Sequence, residues 1–575
     1  MKQLLLILLL LFPFCQLKSQ TLFTKITDPT NPAVTFTNTP ASYKGAVWID
    51  FDNDNWPDLF VSQRFLFRNT RNGNFVQLPD VAGAAGGQIA AGSSWGDLNN
   101  DSHPDCITAS LTSGVHRNNG DNTFTLIASE LPNFSDYSAW DCALADADNN
   151  GRLDAVFVHA AGGFHPTGPF PCRLYLQSAD GVFTQITGSE FTDGNAPYTI
   201  PTWSDYDLDG DMDLFIGTGP ANNPPGAQPD FNYKNLLKET GSFALQRLDS
   251  FPFKVPQDGQ VYNFIDYDND GDLDICLTNY SQAPTRFYQN NNGTYVSKST
   301  PFTSIAGHLS NCWGDVDNDG DLDVLIAVDG DPNARFYRNL GNGSFAAAQV
   351  AGAADTKICD IVMADYDNDG DLDFYTNGAT TGRALFRNDD LAGNRNWAQF
   401  TLEGVQSNRS AIGALLRLKT SVGWQIREVS AHNSFQGQND LRQHFGLNAA
   451  VSIDSLEVRW PSGLVQTFTE LAANNFYKLI ENENIGVIVG TAEPDARINL
   501  TIQPNPVGRE FDIKSEEKIE AVQVFDSTGK VMPVEVVLSE PGARVRFSGN
   551  IPPGAYFVQV RLENGFSTTK QIVRF

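Results

Sequence analysis

The chain has 575 residues, with 68 Asp and Glu against 39 Lys and Arg and a formal net charge of −29. That balance, uninterrupted by any basic patch, excludes nucleic acid as a partner. With 49 Gly and 30 Pro, the composition excludes a long-helix protein and points to turn-rich β structure in a chain longer than one ordinary domain.

The first element, "MKQLLLILLLLFPFCQLKSQ", has a basic Lys2, an apolar core from Leu4 to Phe14 and a small Ser19 before the expected cut. Residues 1–19 read as a secretory signal peptide, too short for a membrane span. Pro13 and Phe14 precede Cys15 where lipid attachment wants small residues, and no later segment is apolar enough to cross a bilayer. Six further cysteines (106, 142, 172, 276, 312 and 359) are widely spaced, with no C-x-x-C pair for zinc. Export permits disulfides, and buried thiols on strands are the equal alternative.

Residues 20–394 are a repeat. Acidic segments such as "DYDLDGDMD" start at Asp50, Asp97, Asp146, Asp205, Asp266, Asp315 and Asp365, spaced 47 to 61 residues apart. Numbering each from its first Asp, positions 1, 3, 5 and 9 carry side-chain oxygen throughout. They are Asp50, Asp52, Asp54 and Asp58 in the first loop, and Asp97, Asn99, Asp101 and Asp105 in the second. The third has Asp146, Asp148, Asn150 and Asp154, and the fourth Asp205, Asp207, Asp209 and Asp213. Asp266, Asp268, Asp270 and Asp274 follow, then Asp315, Asp317, Asp319 and Asp323, then Asp365, Asp367, Asp369 and Asp373. Position 6 is Gly in the last five loops.

A hard cation such as calcium takes about six to eight oxygens at roughly 2.3 to 2.6 Å, and alternate side chains of a curled loop converge on one point. Gly at position 6 permits the turn that lets the carbonyl of position 7 join them. Seven loops in register therefore predict up to seven calcium ions. Twenty-six of the 28 side chains are Asp, so most of the net charge is cation-binding equipment. The weaker copies are the first three, with Asn55 at the turn of loop 1, Asn99 and Ser102 in loop 2 and Asn150 in loop 3.

Two residues before each loop stands a large apolar residue (Trp48, Trp95, Leu144, Trp203, Phe264, Trp313 and Met363), and after it come an apolar strand and a hairpin such as "RFYRNLGNGSFAAA". Four short strands per period is one propeller blade. "LFTKIT" at 22–27 resembles a last blade strand, and no such strand follows "ALFRNDD", so residues 22–27 are expected to pair into the seventh blade. The whole resembles FG-GAP or VCBS repeats, which implies an all-β, seven-bladed, calcium-bearing propeller.

Residues 395–484, with "NRSAIGALLRLKT", "REVSAHNSFQGQNDLRQHFGL" and "DSLEVRWPSG", resemble the ASPIC/UnbV domain of cartilage-acidic-protein-like families, a small β-rich domain without defined chemistry. A linker is expected over 485–497. Residues 498–575, from "IQPNPVGREFDI" to "GAYFVQVRLENGFSTTKQIVRF", read as a small β-sandwich with turns at 527–529 and 564–565. They resemble the type A sorting domain of the type IX secretion system. That resemblance implies a Bacteroidetes-like Gram-negative source, passage through the outer membrane by the type IX machinery and removal of this domain on surface attachment or release.

Catalytic motifs fail on context. "GSSWG" at 92–96 matches G-x-S-x-G, but it is a strand entering loop 2, so Ser94 is structural. His432 and His444, near Glu428, Asp440 and Arg442, form a polar cluster that reads as surface hydrogen bonding or as a small site. "LDV" at 322–324 matches a recognition tripeptide, but Asp323 belongs to loop 6. The favoured function is a secreted or cell-surface module binding a glycan or protein. The alternatives are a propeller-based polysaccharide lyase and a scaffold for another secreted protein. The recognition surface is expected opposite the calcium loops, at blades three and four, where long connections offer Phe164, Phe170, Tyr198, Phe231 and Phe253.

Overall fold

The computed structural model describes residues 22–574 apart from a set of stretches, the longest being 82–89, 132–138, 160–170 and 488–500. The expected signal peptide, most of the 485–497 linker, Phe164, Phe170 and the turns at 527–529 and 564–565 lie outside the described residues.

Residues 22–389 form seven four-stranded antiparallel sheets, numbered here by their acidic loops. The innermost strands are Ala46–Ile49, Ser93–Gly96, Asp141–Ala145, Tyr198–Ser204, Gly259–Ile265, His308–Gly314 and Ile358–Ala364. Each runs into its loop, and the next strand begins on the Asp at position 9, as at Asp58–Val61 and Asp373–Gly378. The acidic loops therefore all sit at the same end of their sheets. Each innermost strand packs against that of the next sheet, and Ile358–Ala364 packs against Ala46–Ile49. The apolar residue two before each loop is buried throughout, from Trp48 to Met363.

Phe23–Lys25 pairs antiparallel with Ala384–Asn388, with Phe23 opposite Asn388, so sheet 7 takes its outer strand from the start of the chain. Phe23 is fully buried, with ring centroids 4.8 Å from Phe374 and 5.7 Å from Phe336.

Residues 396–487 add two four-stranded sheets, one containing the parallel pair Asn396–Glu403 and Asn475–Ile480. They share a core with the repeats: Phe400, Leu402 and Ile412 belong to the same buried cluster as Leu98, Leu144 and Leu153 of sheets 2 and 3. Residues 501–574 form a four-stranded and a three-stranded sheet around a core of their own, including Phe511, Val524, Val545 and Val558. All six cysteines of the described chain are buried free thiols.

Candidate metal centres

Each acidic loop is held by its own carboxylates. The position 1 Asp accepts the N–H groups of positions 5 and 6, as Asp315 does from Asp319 (3.0 Å) and Gly320 (2.7 Å). Position 5 accepts the N–H of position 7, as Asp319 does from Asp321 (3.1 Å). Position 9 is fully buried: Asp323 accepts Asn339 N–H at 2.7 Å through one oxygen and Val316 N–H at 3.4 Å through the other. A one-turn loop has too few backbone acceptors for its own donors, and these side chains supply them.

The curl needs two left-handed residues. Position 6 has positive φ in all seven loops (66° at Asn55, 99° at Gly320), as the Gly pattern predicts. Position 4 has it too, from 51° at Asn149 to 59° at Asn53, Asn100 and Leu208, and it is Asn in every loop but the fourth. Asn tolerates this conformation better than other side chains. Its amide also reaches the next loop: Asn53 donates to Ser102 O (2.8 Å), Asn149 to Gly210 O (2.9 Å) and Asn368 to Asn55 O (3.1 Å).

With the backbone so arranged, positions 1, 3 and 9 converge. Asp50, Asp52 and Asp58 place carboxylate oxygens within 4.8 Å of one another, as do Asp146, Asp148 and Asp154, Asp205, Asp207 and Asp213, and Asp266, Asp268 and Asp274. Position 5 lies beside these groups without joining the sets in loops 1, 3, 4 and 5; Asp209 groups with Asp211 and Glu239. The position 3 side chains are the least satisfied. One oxygen each of Asp52, Asp148, Asp268 and Asp367 is buried and accepts no hydrogen bond. Burial first, neighbouring carboxylates after it, pushes Asp50 and Asp146 up to about 7 and Asp274 up to about 9. Desolvated carboxylates this close repel unless a cation sits among them.

The donor set is all oxygen, curled and multiply anionic, which fits a hard dication of the calcium type. Loop 2 fits less well: Asn99 replaces a carboxylate and turns its amide to Asp101 (2.8 Å). Some loops also draw in basic side chains. Arg71 pairs with Asp54 at 2.9 Å, Lys234 reaches Asp207 and Asp209, and Arg338 and Arg395 both reach Asp317.

Residues 396–487 lie across this loop face. Arg442 donates to Asp365 O and to Asn368 Oδ1, both at 2.8 Å, Gln399 to Asp365 Oδ2 at 2.6 Å, and Asn448 N–H to Asn318 O at 2.9 Å. Gly446 is required at the closest approach, since a Cβ there would stand 1.9 Å from Asp315 Oδ2. Residues 430–440 go further and bond to the innermost strands themselves. Gln438 exchanges backbone hydrogen bonds with Ala46 and Trp48, and its Oε1 accepts Trp95 N–H at 2.9 Å. Phe435 N–H reaches Asp360 at 3.0 Å, Gln436 Nε2 reaches Trp140 O at 3.1 Å, and Asn439 Oδ1 accepts Met363 N–H at 2.9 Å.

Two expectations are corrected here. The polar cluster around His432 and His444 is neither a surface network nor an open site. His432 is 1% exposed with Nε2 3.1 Å from the Asp141 carboxylate, and His444 lies 3.1 Å from Gly370 O, its imidazole held down at about 3 by burial. Glu428 accepts Asp205 N–H (2.8 Å) and the Ser204 hydroxyl (2.7 Å), so it too belongs to the contact between the two regions. Nor do the aromatics of sheets 4 and 5 form an open platform. Tyr198 and Phe253 are buried, and Phe231 lies under the Arg247 guanidinium at 4.2 Å. Ser94 is structural as expected: it is fully buried and donates to Ala431 O at 2.7 Å.

The sequence reading missed the position 4 Asn and the third-strand amide that bonds each sheet to its predecessor's loop, as when Asn69 donates to Pro57 O (3.0 Å) and Tyr366 O (2.7 Å). The signal was present. A residue pair such as "RN", "KN" or "QN" ends the third strand in six sheets, with Gln177 in the remaining one.

Three family models match the chain in order. The FG-GAP-like repeat matches residues 50–108, 266–326 and 315–376, ASPIC and UnbV matches 404–486, and the secretion system C-terminal sorting domain matches 501–574. That sorting tail marks the chain for type IX export out of the cell. No helix among the described residues is long and apolar enough to cross a membrane. Similar solved structures include the extracellular domain assigned to a one component system of B. thetaiotaomicron, at 11% identity over 90% of this chain and 79% of that one, with a TM-score of 0.22. The extracellular domain assigned to a hybrid two component system of the same organism is 10% identical over 96% and 100%, with a TM-score of 0.18. Superpositions this loose carry no argument. No curated protein matches the chain.

Proposed function

We propose that residues 22–389 are a closed seven-bladed propeller whose acidic loops bind up to seven calcium ions, and that the exported protein is a binding or adhesion module for a glycan or another protein. One observation carries the calcium reading: the position 3 carboxylates keep buried oxygens without partners at the point where positions 1 and 9 converge. A bound dication would complete those oxygens and neutralise the cluster, while this chain's backbone N–H groups already orient positions 1, 5 and 9. Closure is supported by the Phe23–Lys25 strand and by the bonds from Asn368 to Asn55 O and from Asn69 to Tyr366 O, which join sheet 7 to sheet 1.

Residues 396–487 cover the loop face and residues 430–440 fill the space between the innermost strands. A ligand is therefore to be sought at the opposite ends of the sheets. Catalysis is not part of this proposal, because the titratable groups of residues 428–444 are committed to the contact between the two regions. The test is calcium titration of the exported protein by calorimetry and thermal melting, followed by a glycan array with the calcium-loaded protein. Fewer than four ions bound, or a melting curve unmoved by chelator, defeats the metal reading. An array and a surface-protein pull-down both blank at micromolar protein defeat the binding-module reading.

A further inference from the structure

Two amide devices tie each acidic loop to its neighbour, and both are missing at the same seam. The position 4 Asn bonds forward to the next loop at six of the seven seams, in the pairs 53–102, 100–151, 149–210, 269–320, 318–370 and 368–55. The exception is loop 4, where Leu208 has no amide to offer. The third-strand amide bonds back to the preceding loop from Asn69, Asn118, Gln177, Asn235, Asn339 and Asn388. Asn290 of sheet 5 bonds only to Leu273 O of its own sheet (3.1 Å). The loop-face seam between sheets 4 and 5 therefore lacks both ties. At its other end it is well joined: Thr199 donates to Gly259 O (2.7 Å), Asp230 accepts from Gln257 and Tyr262 (each 2.7 Å), and 228–229 pair with 256–257.

What stands at the unjoined end is residues 396–487. Arg459 donates to Leu208 O at 2.6 Å and pairs with Asp205, and Glu428 accepts Asp205 N–H and the Ser204 hydroxyl. Leu208 packs on the apolar cluster that unites Phe215 of sheet 4, Phe264 and Ile275 of sheet 5, and Leu415 and Ile426 of the covering region. We infer that the ASPIC/UnbV-type region is an internal clamp for this ring: Arg459, Glu428, Leu415 and Ile426 replace the amide ties that sheets 4 and 5 lack. The partner for this part of the loop face is thus the chain's own next region. A role for that region follows without any reaction, and it holds whether or not the loops carry ions.

Hydrogen exchange by mass spectrometry on the full chain tests it, using Arg459→Ala, Leu208→Asn, the double variant and Leu208→Gly in the Arg459→Ala background. Loss of a charge-assisted bond is expected to speed exchange about tenfold in 205–213 and 266–274, with 146–154 and 315–323 unchanged. Leu208→Asn restores the position 4 amide in a backbone conformation that Asn accepts, and should recover most of the protection. Leu208→Gly relieves the same backbone without supplying a donor, and should recover little. Should Arg459→Ala fail to fold, Leu208→Asn alone remains decisive, with slower exchange expected across 266–274 than in the unsubstituted chain. Uniform acceleration over all seven loops, no acceleration, or equal rescue by Asn and Gly overturns the clamp.

Discussion

Two small β regions follow the ring, and they are attached to it in opposite ways. Residues 396–487 share a buried cluster with sheets 2 and 3 and send 430–440 among the innermost strands, whereas residues 501–574 enclose a core of their own. The described contacts of the second region with the first include a 3.3 Å bond from Gln559 to Asn474 O and an exposed pair, Lys530 with Glu470. The difference separates a region that completes a fold from one that travels with it. A shared core makes removal of one part an exposure of apolar surface in the other, and a private core does not.

The comparison breaks most visibly by truncation. Ending the chain at residue 389 uncovers Leu98, Leu144 and Leu153 together with the backbone that Gln438 satisfies. Each large side chain so exposed costs about 1.5 to 3 kcal/mol, so the ring alone should be insoluble or lack a cooperative melt. A soluble 1–389 fragment with a melting temperature near that of the full chain would refute a shared fold. Chelation comes next. With free calcium at about ten times Kd, each site stabilises by about 1.4 kcal/mol, and seven by of order 10 kcal/mol. Chelator should then lower the melting transition of residues 22–487 by about 10 °C or more and leave a transition of 501–574 in place. A single transition that moves as a whole would show the two regions unfolding together.

A finer probe is Gln438→Ala. Its Oε1 accepts Trp95 N–H, and both residues are fully buried. Leaving that donor unpaired should cost about 2 kcal/mol without changing the number of calcium ions bound. By contrast, Asp367→Asn should remove one ion and cost about as much as one site supplies.

The repeats were legible because they are written seven times: the acidic spacing, the apolar residue before each loop and the unpaired "LFTKIT" located every inner strand and the strand of sheet 7 that comes from the chain start. Local hydrogen bonding fixes such loops, so local sequence reports them. The role of residues 430–440 was not legible. "SAHNSFQGQND" has no periodicity, and its polar groups find partners in sheets as distant in sequence as Asp141, Asp360 and Trp95. A sequence shows that His432 and Gln438 are polar, but not that donors some 300 residues away will bury them. The aromatic loops failed for a related reason: Tyr198 and Phe253 look like a stacking platform in a long connection, yet each fills space between neighbouring sheets.

The smallest effect is expected from cutting the chain within 488–500. The tail keeps its own cluster around Val524 and Val558, which are fully buried, so nothing apolar in residues 396–487 depends on it. What is lost is one 3.3 Å amide bond and one ion pair whose members are both mostly exposed, and exposed pairs contribute about 0 to 1 kcal/mol. Purified 22–487 should melt within about 1 °C of the same region in the full chain and bind the same number of calcium ions, and the isolated tail should fold in their absence. That outcome is what a removable export tag requires. A drop of several degrees on cleavage would instead make residues 501–574 a third part of the ring's fold.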